Sequence, residues 1–148
     1  MMGVPGRWLV MSVVVWVLLG GRGFGETSEL LLSSFEPGGP DWVHGDGKVV
    51  TEHATHGRHA FRIENRGKGY TGIRITDAAV LRKFKEYGLL LVDVYNPQDR
   101  PVRFGIRVDD ARSVDYGSRF NDDGRVAAPG RTTVQLNLTG LTRSNARN

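Results

Sequence analysis

The chain has no cysteine among its 148 residues. That absence removes disulfides, thiol nucleophiles, thiolate metal sites and lipid attachment through sulfur. Stability must then come from core burial or from a metal. Runs of lysine and arginine are missing too, and with them the basic stripe that marks nucleic-acid binders, so nucleic acid is not an expected partner. No serine sits in a G-x-S-x-G elbow. Arg66-Gly67-Lys68-Gly69-Tyr70 is too short and wrongly placed for a phosphate loop and reads as a turn. There is no internal repeat or low-complexity tract, and the length suits one domain.

Long apolar runs are also scarce, apart from one at the start. Arg7 precedes an apolar stretch from Trp8 to Leu19, broken only by Ser12, and Gly20, Gly21, Gly23 and Gly25 follow. A positive flank, a short apolar core and small residues two apart describe a cleavable export signal rather than a comfortable membrane span. The expectation is that residues 1–25 are this signal and 26–148 the mature domain, periplasmic or secreted, with no membrane contact after cleavage. Removing residues 1–25 takes away Arg7 and Arg22, so basic residues fall from 20 to 18 against 16 acidic, and the charge from +4 to +2.

The rest of the chain is organised around Gly88–Asp110. Leu89 to Tyr95 is nearly all apolar, as a strand buried on both faces would be. Val102, Phe104, Ile106 and Val108 alternate with Arg103, Gly105, Arg107 and Asp109, which makes a strand with one dry and one wet face. Asn96-Pro97-Gln98-Asp99-Arg100-Pro101 between them is turn chemistry, so an antiparallel hairpin-like pair is expected. Further strands are expected at Leu30–Glu36, Lys48–Ala54, Arg58–Asn65, Tyr70–Thr76 and Thr132–Leu138. A short helix capped by Asp77 and ended by Gly88 is expected over 77–87. Ala111 to Arg125 reads as a polar loop. Short strands at this spacing imply an all-β sandwich with one short helix.

Taken in order, FE at 35–36, Trp42, HATHGRHAFRIE at 53–64, LLLVDVYNP at 89–97, VRFGIRVDD at 102–110, RFN at 119–121 and PGRTTVQLNL at 129–138 form a pattern. It resembles the galactose-binding-like jelly-roll domains found as carbohydrate-binding modules, often at the N-terminal end of secreted bacterial glycoside hydrolases, including agarase-like enzymes. The resemblance covers about residues 30–142. It implies a jelly-roll sandwich that continues beyond Asn148 into one or two further strands, so the chain is expected to be incomplete at its C-terminus. It also implies a polysaccharide or oligosaccharide as partner, and a downstream catalytic domain or chain. A structural calcium at Glu36 is a further implication. Calcium needs six to eight oxygens, and Glu36 alone does not make a site.

Sugar recognition requires aromatic faces for the ring and planar polar groups for the hydroxyls. Two places offer them. One is the wet face and following loop of the central pair: Arg107, Asp109, Tyr116, Arg119, Phe120 and Asn121, with Asp110 beside them. The other is the loop pair with Trp42 and Tyr70. Set against this, Trp42 also fits a core lid, and Asp109-Asp110 also fits a turn former or a partner for Arg107 or Arg112. His53, His56 and His59 scatter across two strands rather than converge, so they read as surface and turn histidines. No carboxylate pair stands out for acid–base work, and no catalysis by this chain is expected. The expectation is a non-catalytic polysaccharide-binding domain of an exported protein. The competing reading is a structural accessory domain packed on a glycoside hydrolase domain.

Overall fold

The computed structural model describes residues 7–12, 29–39, 43–65 and 71–143. Strands run over Arg7–Ser12 (β1), Val43–Gly45 (β2), Gly47–Val50 (β3), Ala60–Asn65 (β4) and Ile73–Ile75 (β5). A single helical turn and a half, Ala78–Lys83 (α1), continues into a 3-10 turn at Phe84–Glu86. Then come Leu89–Asn96 (β6), Val102–Val108 (β7), Phe120–Ala127 (β8) and Gly130–Asn137 (β9). The fold is β-rich with one short helix. One sheet has the order β3-β4-β1-β6-β9; β2 pairs with β5, and β7 with β8.

The largest sheet owes its dry face to β6 and β9. Leu90, Val92 and Val94 register with Leu136, Val134 and Thr132. Residues opposite each other in an antiparallel pair share a face, so these form one apolar patch. Against it pack Phe104 and Ile106 of β7, Ala127 of β8, Val80 of α1 and Leu32. Leu32 and Val94 are fully buried. Each such aliphatic side chain contributes roughly 1.5–3 kcal/mol by leaving water. The Asp77 carboxylate accepts the Val80 N–H at 2.8 Å, capping α1 as the sequence implies and seating Val80 in the core.

Four expectations are corrected. Leu89–Asn96 and Val102–Val108 do not form a hairpin: β6 pairs with β1 and β9, while β7 pairs only with β8. The five-residue connection, 97–101, crosses between sheets, and Asn96 at the end of β6 holds it. Its amide donates to the carbonyls of Arg100 (2.8 Å) and Ala127 (3.1 Å), and its carbonyl accepts the Gln98 N–H (3.0 Å). Second, Leu30–Glu36 makes no ladder. Phe35 takes φ +59°, outside the extended region, and its N–H goes to the Ser33 hydroxyl at 3.2 Å. The segment still buries Leu32 and Ser33. Third, the strand expected over Lys48–Ala54 ends at Val50, and 51–59 is irregular, with His53 at φ +60°. Fourth, the polar segment 111–125 is not wholly loop, because Phe120–Arg125 belongs to β8.

The sequence sets residues 1–25 apart from the folded domain. In the full chain, Arg7–Ser12 is the middle strand of the largest sheet, antiparallel to β4 and to β6. The remainder of the proposed export signal, residues 13–25, lies outside the described residues, as does the turn at 66–69.

Candidate functional site

The β7–β8 pair and the loop that joins its strands present charged, amide and aromatic side chains on an exposed surface. A bulge shapes it: Phe104 faces Arg125 and Ile106 faces Asp122, leaving Gly105 opposite Asp123 and Gly124. A bulge re-aims the side chains of the strand that carries the extra residue. A Cβ on Gly105 would lie 2.8 Å from the Asp123 carboxylate, so only glycine lets that group lie across the strand. There Asp123 accepts the Tyr116 hydroxyl.

The loop from Asp109 to Arg119 is held by its own short polar residues. Asp110 Oδ1 accepts the Arg112 N–H at 2.9 Å, and Asp115 Oδ1 accepts the Ser118 N–H at 2.7 Å. The Ser118 hydroxyl accepts from the N–H groups of Val114 and Asp115, both at 2.9 Å. Side chains of Asp and Ser that bond to nearby backbone replace a ladder and fix a turn. Val114 and Tyr116 are thereby held out in water, at 83% and 58% exposed. The Asn121 amide donates to the Tyr116 carbonyl at 3.0 Å, tying the loop to β8.

Charge is arranged around this loop in alternating sign. Asp109 lies between Arg107 Nε at 2.6 Å and Arg119 Nε at 3.4 Å. Arg119 Nε also donates to the Asp115 carbonyl at 2.8 Å. Asp110 meets Arg143 at 2.5 Å and Arg112 at 3.8 Å. The Arg143 guanidinium first, then the Arg112 N–H, lowers the Asp110 carboxyl to about 2. The Ser118 hydroxyl and N–H lower Asp115. Exposed pairs of this kind contribute little to stability, because water screens them.

Of the residues expected to contact sugar, Arg107, Asp109, Tyr116, Arg119 and Asn121 come together on this surface. Phe120 does not: at 8% exposed it turns inward, because it starts β8 on the dry side. Trp42 and Tyr70 lie outside the described residues. Glu36 reaches elsewhere. Its Oε1 accepts the N–H groups of Arg58 (2.5 Å) and His59 (3.0 Å), and its Oε2 meets His59 Nδ1 at 2.7 Å. Those donors, the Arg58 N–H foremost, lower its pKa. Gly57, at φ +69°, makes room, since a Cβ there would collide with the Glu36 carboxylate. As arranged, both Glu36 oxygens are engaged by N–H donors. No group of three or more metal-ligating side chains is found among the described residues.

A second polar cluster escaped the sequence reading. Asp93, 6% exposed, lies on the face of β6 opposite the core. Its Oδ1 accepts the Thr133 hydroxyl at 2.6 Å and its Oδ2 meets Arg131 at 2.7 Å. Burial opposes ionisation there, but Thr133, Thr55 and Arg131 outweigh it and lower the pKa. Two residues on, Tyr95 stacks on His53, with ring centroids 3.5 Å apart and planes at 10°. A lone aspartate inside an apolar strand was the available signal, because a buried carboxylate requires partners.

Comparison with known proteins gives no match to a family model, a curated protein or a solved structure. Among the described residues, no helix is long and apolar enough to cross a membrane.

Proposed function

We propose that this chain is a non-catalytic carbohydrate-binding domain of an exported protein, with the two-layered jelly-roll architecture its sequence resembles. The β7–β8 surface would carry the ligand. The observation that supports this most is Tyr116: an aromatic ring held in solvent, its hydroxyl on Asp123, in a loop that Asn121 ties to β8 and that ends at Arg119, the partner of Asp109. A ring face takes the C–H side of a sugar, and guanidinium, carboxylate and amide groups take its hydroxyls. The loop is tied by its own hydrogen bonds, so little order would be lost on binding. Shallow, wet surfaces of this kind bind weakly, on the order of micromolar to millimolar. In the proposed setting, the domain tethers a linked enzyme to its polymer and raises the local concentration.

The structural-accessory reading draws support from Phe120, an expected ligand contact that is part of the interior. Retention of the purified chain on immobilised polysaccharides, with Tyr116→Ala alongside, separates the two. Retention that Tyr116→Ala abolishes supports binding at this surface. No retention on any of a broad set of neutral and acidic polysaccharides sinks it in favour of the accessory role.

A further inference from the structure

β1 pairs along both edges, Arg7–Met11 with β4 and Val10–Ser12 with β6. β4 and β6 do not pair with each other. Without β1 they would face one another across a gap of two strand spacings, about 9–10 Å, each with an unpaired row of N–H and C=O groups. One antiparallel strand of five or so residues satisfies both rows at once.

The flanking side chains state what that strand should be. Positions 9 and 11 register with Ile63, Phe61 and Val94, of which Ile63 and Val94 are buried in the core. Positions 8, 10 and 12 register with Glu64, Arg62, Tyr95 and Asp93. Opposed residues share a face, so the matched strand alternates: apolar at 9 and 11, polar at 8, 10 and 12. The resident strand, RWLVMS, carries Trp8 and Val10 at two of the three positions flanked by polar and charged partners. Its four central residues, Trp8 to Met11, are all apolar, so its sequence alternates as the register asks only at Leu9, Met11 and Ser12.

We propose that the β4–β6 slot is a strand-acceptor site. Its matched occupant is an alternating polar–apolar strand of a second polypeptide, antiparallel to β4 and β6, and residues 7–12 are a replaceable resident. Removal of residues 1–25, as the sequence predicts, would leave the slot open to that strand. This inference is independent of glycan binding, since the β7–β8 surface belongs to another sheet.

The test uses the full chain with a protease site replacing Gly20–Gly25, cut after folding. The probe is a fluorescent peptide, Thr-Lys-Val-Glu-Val-Thr, and its control carries proline in place of the first Val. The cut chain should bind the probe with a dissociation constant on the order of micromolar. The uncut chain and the proline control should bind at least tenfold more weakly. Amides of Phe61–Glu64 and Asp93–Tyr95 should gain protection on binding. A cut chain that loses its β circular dichroism and recovers it with the probe supports the proposal equally. Failure of the cut chain to bind, equal binding by cut and uncut chains, or unfolding that the probe does not reverse overturns it.

Discussion

Asp93 and Asp109 each hold an arginine, at 2.7 and 2.6 Å, yet the two sites differ in kind. Asp93 is 8% exposed at its side chain and is paired across two strands, with Arg131 and Thr133 far along the chain. Asp109 is 38% exposed, and Arg107 is its neighbour two residues away. The first pair is assembled by the sheet, and its carboxylate, unlike the half-exposed Arg131, has little water to fall back on. The second is assembled locally and would lose little if water replaced either partner. Buried polar groups here therefore hold the architecture, while the exposed ones remain available to a ligand.

The largest effect should come from Asn96, which is 1% exposed with its amide and carbonyl all engaged. Asn96→Ala removes the amide that meets the buried Ala127 carbonyl, together with the bonds to the Arg100 carbonyl and the Gln98 N–H. It should cost about 3 kcal/mol, read as a lower denaturant midpoint with an unchanged slope. A loss below ~1 kcal/mol would mean that the crossing between sheets is held by something else.

Next comes Asp93→Asn, expected to cost about 1–2 kcal/mol at neutral pH. The folded-state pKa of Asp93 lies below its ordinary 3.8. Its contribution is therefore complete above that value and is lost as pH falls through the lower folded value. Wild type and variant should converge in stability as pH falls below 3.8. Curves that stay parallel across that window would assign the acid sensitivity to other carboxylates.

A smaller and more local effect is expected from Arg143→Ala. Asp110, held at about 2, should return toward its ordinary 3.8, visible in a carboxyl NMR titration. An unmoved Asp110 would shift the credit to the Arg112 N–H. Smallest for stability is Tyr116→Ala, expected within about 0.5 kcal/mol of wild type because the ring is exposed. If that variant instead unfolds readily, the contrast between a locked sheet and a spare hairpin surface collapses.

Much of the candidate surface was legible in the chain. Arg107 and Asp109 occur at wet positions of an alternating strand, and Tyr116 lies in a segment rich in Asp, Ser and Gly that makes its own turns. Phe120 was misplaced because the strand beginning there is polar through Asn121, Asp122 and Asp123, which hides its period. The bulge at Gly105 was equally hidden, since one extra residue in a partner strand leaves no mark on the strand facing it. Asn96 reads as turn chemistry and Asp93 as one acid among several, yet both are buried and engaged.

Sequence alone determined which segments have a dry face and where the helix begins. Alternation over Val102–Val108 and Thr132–Leu138 and the Asp77 cap are relations between near neighbours, and near neighbours meet in any fold. Only the tertiary structure decided which strands lie side by side. β6 pairs with β9 and with Arg7–Ser12 rather than with adjacent β7, because pairing is chosen by the shared core and by the polar groups that must find partners across it. No local pattern carries that information.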